Sequence, residues 1–238
     1  MPAFVALTKS KGFDIIAIMT INELRIRFDL HDDKQSILND AAVKGSKGYL
    51  FVDSDDGQCY LFSKDGNQIS ISNLEKIEDE AFVGCKSLTS IQIPDSVKSI
   101  GYAAFYGCES LTSITIPDSV ESIGDKAFEN CTSLKSIQIP DSVKRIRDWT
   151  FEYCESLKSI QIPDSVESIE HYAFSGCASL KSIQIPGSMK SIRYGAFYNC
   201  IALKEVLFKG KTMDEVKEMD YYPWGIQDES IACLKCKI

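Results

Sequence analysis

The chain has 238 residues, 44% of them hydrophobic and 25% charged, which supports a packed core and argues against disorder. Its formal net charge of −8 argues against a nucleic-acid partner, which needs a basic face to release counterions, and against docking on an anionic membrane. No stretch approaches the ~18 consecutive apolar residues of a membrane span, so membrane insertion is not expected.

Residues 1–70 are not repetitive and are rich in β-branched and aromatic residues. Phe13–Ile21, Leu24–Leu30, Tyr49–Val52 and Cys59–Phe62 are predicted strands. Phe13–Ile21 contains Asp14 and lacks the basic flank and small-residue cleavage site of an export signal. As written, the chain is therefore expected in the cytoplasm or on a particle, and at the cell surface if a signal was removed. Asp53-Ser54-Asp55-Asp56-Gly57 lacks the full spacing and terminal Glu of a calcium loop and fits an Asp-Gly hairpin turn better. The segment 1–70 is expected to be a small β-rich N-terminal cap or attachment domain.

The next segment, 71–208, repeats. Cys85, Cys108, Cys131, Cys154, Cys177 and Cys200 recur every 23 residues. Phe82, Phe105, Phe128, Phe151, Phe174 and Phe197 keep the same step, as do Leu88, Leu111, Leu134, Leu157, Leu180 and Leu203. One unit reads Cys-x-Ser-Leu-x-Ser-Ile-x-Ile-Pro-Asp-Ser-Val-x-x-Ile-x-x-x-Ala-Phe-x-Gly/Asn. In Leu88-x-x-Ile91-x-Ile93, alternation sends both isoleucines to one side of a strand and Ser90 and Gln92 to the other. Pro94 stops that strand because it has no N–H for a ladder. Val97 and Ile100 return the chain to the core, and a short turn of helix or 3₁₀ is predicted to carry Ala104 and Phe105 inward. The residue before each cysteine is Gly or Asn in most units, which suits a positive φ after a helical turn. Tyr153 stands in that column and is expected to strain the backbone or mark a change of path.

No unit can bury its apolar residues alone, so neighbours must stack, each adding ~4.8 Å to a rod roughly 30 Å long. The units resemble the Treponema-type, or BspA-like, leucine-rich repeats of bacterial surface proteins over roughly Leu74 to Phe208. The resemblance implies an α/β leucine-rich-repeat solenoid with one parallel β-sheet face. It also implies non-catalytic binding of protein or glycan surfaces, as in adhesion. The alternative is a structural component of a phage or other particle that uses the solenoid as a rigid spacer.

Residues 209–238 are expected to form a C-terminal cap. Thr212 and Glu215 have capping-box spacing, and Tyr222 and Trp224 are placed to cover the last coil.

Catalytic and metal chemistry is sparse. Cys233-x-x-Cys236 stands alone, and zinc would need two further ligands, whereas the two histidines, His31 and His171, lie in unrelated segments. No nucleophile elbow or phosphate loop occurs, so no enzyme and no cofactor are expected. The repeat cysteines fit a buried column of reduced thiols.

Binding residues are sought where units differ. The outward strand positions are nearly uniform Ser and Gln, with Thr115 the exception, and at the strand's start Lys135, Lys158, Lys181 and Lys204 make a basic stripe. Variation concentrates around Ala-Phe, at Tyr102, Tyr106, Trp149, Tyr153, His171, Tyr172, Tyr194 and Tyr198. Exposed aromatics commonly anchor interfaces. Trp149, Tyr153, His171 and Tyr172 are the leading candidates for one patch about two repeats wide.

Overall fold

The computed structural model describes residues 14–18, 48–52, 59–63, 68–69, 75–86, 88–91, 93–226 and 233–237. In chain order the strands are β1 (Asp14–Ile18), β2 (Gly48–Val52), β3 (Cys59–Ser63), β4 (Gln68–Ile69), β5 (Lys76–Ile77), β6 (Ser99–Ile100), β7 (Ser113–Ile114) and β8 (Ser122–Ile123). Then come β9 (Ser136–Ile137), β10 (Arg145–Ile146), β11 (Ser168–Ile169), β12 (Ser182–Ile185), β13 (Ser191–Ile192) and β14 (Glu205–Lys209). The helix α1 (Met213–Lys217) and β15 (Cys233–Lys237) complete the series.

Strands β1 to β4 form one sheet in sequence order, with β1 parallel to β2 and the other two pairs antiparallel. Three of the four predicted N-terminal strands thus coincide with β1, β2 and β3. The fourth, Leu24–Leu30, and the Asp53–Gly57 turn lie outside the described residues.

From β5 onward the chain is a β-solenoid of about six coils. Through the repeats each parallel partner sits 23 residues away, as in Ser99↔Ser122, Ser113↔Ser136 and Ser168↔Ser191, while β14 pairs with β15 at a step of 28, as in Glu205↔Cys233. Two parallel ladders run along the rod rather than one. The predicted ladder at Leu-x-x-Ile-x-Ile comprises β7–β9, the bridges Gln138–Gln161–Gln184, and β12–β14–β15. A second, at Val-x-x-Ile, comprises β5–β6–β8 and β10–β11–β13. It was not foreseen because two paired residues per coil leave no alternating pattern to read.

The third side differs from the predicted turn of helix or 3₁₀. Residues 102–107 and their counterparts form hydrogen-bonded turns, and helix among the described residues is confined to α1. Two left-handed residues per coil, four apart, break any helix. One column holds Glu80, Ala103, Lys126, Trp149, Tyr172 and Gly195; the other holds Gly84, Gly107, Asn130, Tyr153, Gly176 and Asn199. Alternate amides on this side donate to the next coil, as Ala103, Phe105 and Gly107 do to the carbonyls of Asp125, Ala127 and Glu129 at 2.8–2.9 Å. On the strand sides the amides donate backward, as Gly124 does to Ile100 at 2.8 Å. Each internal coil is thereby bonded to both neighbours, which is how a buried backbone satisfies its polar groups.

The core is one continuous stack. The six repeat phenylalanines have ring centroids 5.0–5.8 Å apart and planes within 12° of parallel. All six are buried, each worth about 1.5–3 kcal/mol, and the ring pairs add to this. Beside them Cys108, Cys131, Cys154, Cys177 and Cys200 are buried free thiols. Each Sγ–H donates to the carbonyl of a phenylalanine one coil back, at 3.0–3.2 Å. Cysteine suits this column because it combines small apolar bulk with a weak donor. Cys85 of the first complete unit is only partly buried, which corrects the expectation of a uniformly buried column. Serines of the Pro-Asp-Ser turns also bond between coils, as Ser119 Oγ does to the Val97 carbonyl at 2.7 Å and Ser165 Oγ to that of Val143 at 2.8 Å.

At the far end Trp224 is fully buried against Phe208 at 5.6 Å and in T-shaped contact with Tyr222 at 5.3 Å. The Phe197 amide donates to the Trp224 carbonyl, the bond a following coil would otherwise provide. Helix α1 carries the predicted capping box between Thr212 and Glu215.

Candidate functional site

The left-handed columns decide where the variable side chains go. Bulky residues rarely adopt positive φ, at a cost of roughly 1–2 kcal/mol each. Yet Trp149, Tyr153 and Tyr172 hold φ of 54°, 55° and 55°. The Tyr153 amide still donates to Ser175 of the next coil at 2.8 Å, as Gly107 does to Glu129. So Tyr153 does not alter the path of the chain; it adopts the same conformation as the glycines in its column.

From the first column, side chains reach toward the following coil. Lys126 Nζ lies 4.8 Å from the Trp149 ring centroid, and Trp149 stacks on Tyr172 at 6.4 Å with planes 3° apart. Tyr172 in turn meets the edge of Tyr194 at 5.6 Å and covers Gly195. Tyr194 meets Tyr221 at 6.4 Å, His171 meets Tyr221 at 5.9 Å, and the Arg193 guanidinium sits 6.0 Å from that same ring. A strip of cation and aromatic groups therefore runs from Lys126 to Tyr221. Tyr194 and Tyr221 are about half exposed, while Trp149, His171 and Tyr172 are partly buried.

The four leading residues are not one contiguous patch. Trp149 and Tyr172 stack, but His171 faces Tyr221, and Tyr153 belongs to the second column, where its ring covers Gly176. Tyr102 and Tyr198 are exposed and Tyr106 is partly buried. Tyr198 packs by its Cβ beside Gly225. Sequence reading missed Lys126, Arg193 and Tyr221. Lys126 was findable, because it precedes Trp149 by one repeat in the same column. Tyr221 lies beyond the repeats, where no spacing points to it.

Between the two columns lies a charged row. Glu129, 7% exposed, binds Lys126 Nζ at 3.0 Å. Partial burial works against the Lys126 charge, but the hydrogen bond and charge of Glu129 outweigh it and hold the ammonium pKa above its ordinary value. Glu152 is pushed up by burial, against a hydrogen bond from Ser175 that lowers it, with Glu129 adding like charge. The Tyr172 hydroxyl is also pushed up, by desolvation and then by Tyr194. These groups stand as a wall of fixed polar contacts beside the aromatic strip.

Two further surfaces flank it. The sheet face carries Lys135, Lys158, Lys181 and Lys204, all exposed, beside exposed Ser136, Ser159 and Ser182. An open cleft of about 740 Å³ lies between Gly187–Lys190 and α1, lined by Lys190, Lys211, Glu215 and Glu218. Its charges are of both signs and select no ligand class. Among the described residues no cluster of three or more His, Cys, Asp or Glu is placed to hold a metal ion. No helix among them is long and apolar enough to cross a membrane.

Comparison with known proteins accords with this geometry. The chain is 38% identical to a leucine-rich repeat protein of T. pallidum over 50% of its own length and 58% of that protein, with a TM-score of 0.49. It is 25% identical to a leucine-rich repeat protein from Eubacterium ventriosum, over 73% of this chain and 50% of that one, at a TM-score of 0.50. The fold of the pneumococcal vaccine antigen PcpA is similar at 21% identity and a TM-score of 0.53, covering 71% of this chain and 40% of that one. The chain thus spans between 40% and 58% of the length of these proteins. No curated protein matches significantly. The model of the BspA type leucine rich repeat region matches residues 58–154 and 98–222, which accords with a protein-interaction or adhesion module. The chain belongs to the BspA-type leucine-rich repeat family.

Proposed function

We propose that this chain is a non-catalytic binding module for protein or glycan surfaces, with the aromatic strip from Trp149 to Tyr221 as its selective contact. The observation that carries the reading is energetic. Trp149, Tyr153 and Tyr172 occupy left-handed positions that other coils fill with Gly, Ala, Asn, Glu or Lys, none of them aromatic. Bulky residues kept where the backbone disfavours them point to a role that outweighs the strain. Along the strip, ring faces are used between neighbours: Trp149 lies between Lys126 and Tyr172, and Tyr172 lies on Gly195. The edges of the half-exposed Tyr194 and Tyr221 rings remain for a partner, which suits a polar protein surface better than the flat face of a sugar. The membership of the family supports binding over catalysis. Segment 1–70, with strands β1 to β4, is taken as a cap or attachment domain, and 209–238 as the C-terminal cap.

The test is to screen the purified chain against an array of surface proteins and glycans, then titrate the strongest binder. Truncating Trp149 and Tyr172 together to alanine is expected to weaken it by about 2 kcal/mol or more, the size of a hot-spot loss. A partner indifferent to that double variant but lost on deleting residues 1–70 would defeat the reading. It would favour an attachment domain carried on a solenoid spacer.

A further inference from the structure

Two lysine-bearing columns of this solenoid treat charge in opposite ways. Beside the second ladder, successive coils place Lys98, Glu121, Lys144, Glu167 and Lys190 in one column. Its signs alternate, and Lys190 Nζ binds Glu167 Oε2 at 2.7 Å. Lys190 first, then Lys144 and Arg145, hold the Glu167 carboxyl below its ordinary range. Here stacking answers each charge with its opposite.

On the other face the column is uniform. Lys135, Lys158, Lys181 and Lys204 lie one above another, their backbones hydrogen-bonded coil to coil at 2.9–3.4 Å. All four are exposed, and none forms an ion pair among the described residues. Neighbouring cations one strand spacing apart, ~4.8 Å, repel, and like charges directly opposite across a ladder destabilise it. The same protein shows the alternating solution a few residues further along each coil. A uniform row, within a chain of net charge −8, is what an anionic partner would require.

The neighbouring columns narrow the chemistry. Parallel to the lysines run the exposed Ser136, Ser159 and Ser182, and then Gln138, Gln161 and Gln184, bridged in register. Hydroxyls and carboxamides both donate and accept. These three columns of the Lys135–Gln184 coils carry no aromatic side chain on which a base could stack. An extended peptide binds a sheet through its edge, and this is a face. We propose that this face binds a linear acidic polysaccharide, carboxylated or sulfated, laid along the solenoid axis. Its acidic groups meet the four ammoniums and its hydroxyls meet the serine and glutamine rows. The site is separate from the aromatic strip and is tested independently of it.

The experiment uses the full chain and heparin as the probe, with neutral dextran, polyglutamate and single-stranded DNA beside it, titrated by fluorescence anisotropy at several salt concentrations. Heparin binding is expected, and the quadruple variant K135Q/K158Q/K181Q/K204Q should weaken it at least tenfold and flatten its salt dependence. The corresponding four Lys→Arg changes should preserve binding, as should W149A/Y172A. Heparin affinity unchanged in the quadruple glutamine variant would overturn the proposal. So would neutral dextran, polyglutamate or DNA binding the native chain as tightly as heparin does. Unaltered circular dichroism and urea midpoint of the glutamine variant establish that any loss is local.

Discussion

The ring of Tyr172 lies directly over Gly195, so that a Cβ added at Gly195 would stand 2.5 Å from Tyr172 Cε1. Gly195 follows Tyr172 by one repeat in the same left-handed column and has φ 69°. The pair repeats in the second column, where a Cβ at Gly176 would stand 2.5 Å from Tyr153 Cδ1. A tyrosine on one coil thus dictates glycine on the next.

This relationship predicts coupling. Gly195→Ala carries the left-handed cost of roughly 1–2 kcal/mol together with a collision against Tyr172. In a Tyr172→Ala background only the backbone cost should remain. Urea titration of the two single variants and the double closes the cycle; strict additivity would show that the ring is not what excludes the methyl group.

Strain at Tyr153 predicts an opposite sign. Tyr153→Asn places there the residue that other coils use at Asn130 and Asn199, both left-handed. Folding should be stabilised by about 0.5–1 kcal/mol, because relief of strain exceeds the loss of one half-exposed ring. A clear loss of stability would mean that the contact of Tyr153 with Gly176 outweighs the backbone.

The two faces of a coil should differ sharply. Phe128 is fully buried between Phe105 and Phe151, at 5.3 and 5.6 Å. Phe128→Ala should cost about 3–5 kcal/mol through a cavity shared by three coils. Gln138→Ala, on the exposed sheet face, should remain within ~0.5 kcal/mol. Similar losses at both positions in denaturant would contradict this division into core and surface.

The thiols give a pH signature. Burial pushes Cys85 up to about 11 and Cys131 and Cys200 up to about 12, and raises Cys108, Cys154 and Cys177 as well. Raised folded pKa values mean that the native state holds protons the unfolded chain releases near pH 8.5. Their contribution is therefore full below about pH 8.5 and is lost as pH rises beyond it. Each thiol contributes a slope of up to about 1.4 kcal/mol per pH unit. The urea midpoint should be level with respect to these groups from pH 7 to 8 and fall steeply between about 9 and 11. Replacing the five buried cysteines with alanine should flatten that fall, whatever it does to overall stability.

Thiol chemistry follows the same burial. Alkylation of the native protein at pH 8 should label Cys85 before the other five repeat cysteines, and denaturation should expose all six as free thiols. Mass spectrometry that finds neighbouring coils crosslinked would replace a reduced core with an oxidised one.

Much of this fold was legible in the residues alone, because a solenoid uses the same environment every 23 residues. Leu88, Ile91, Ile93 and Phe105 announced the core by recurrence, and Pro94 announced the end of the ladder. Recurrence also exposed the lysine stripe, since a column is visible whenever its members share a step. What spacing cannot report is a conformation that several residue types adopt together. Glu80, Ala103, Lys126, Trp149, Tyr172 and Gly195 share no chemistry, yet all six are left-handed, and inter-coil hydrogen bonds from the amides of the first five hold them there. Only the packed coils impose that choice, by requiring alternate amides to reach the next turn. The same packing decides that Trp149 stacks on Tyr172, that Tyr221 from beyond the repeats joins His171, and that Tyr153 goes elsewhere. The repeat positions follow from period and polarity, which are local; the aromatic strip follows from which ring lies over which glycine, and that is settled between coils.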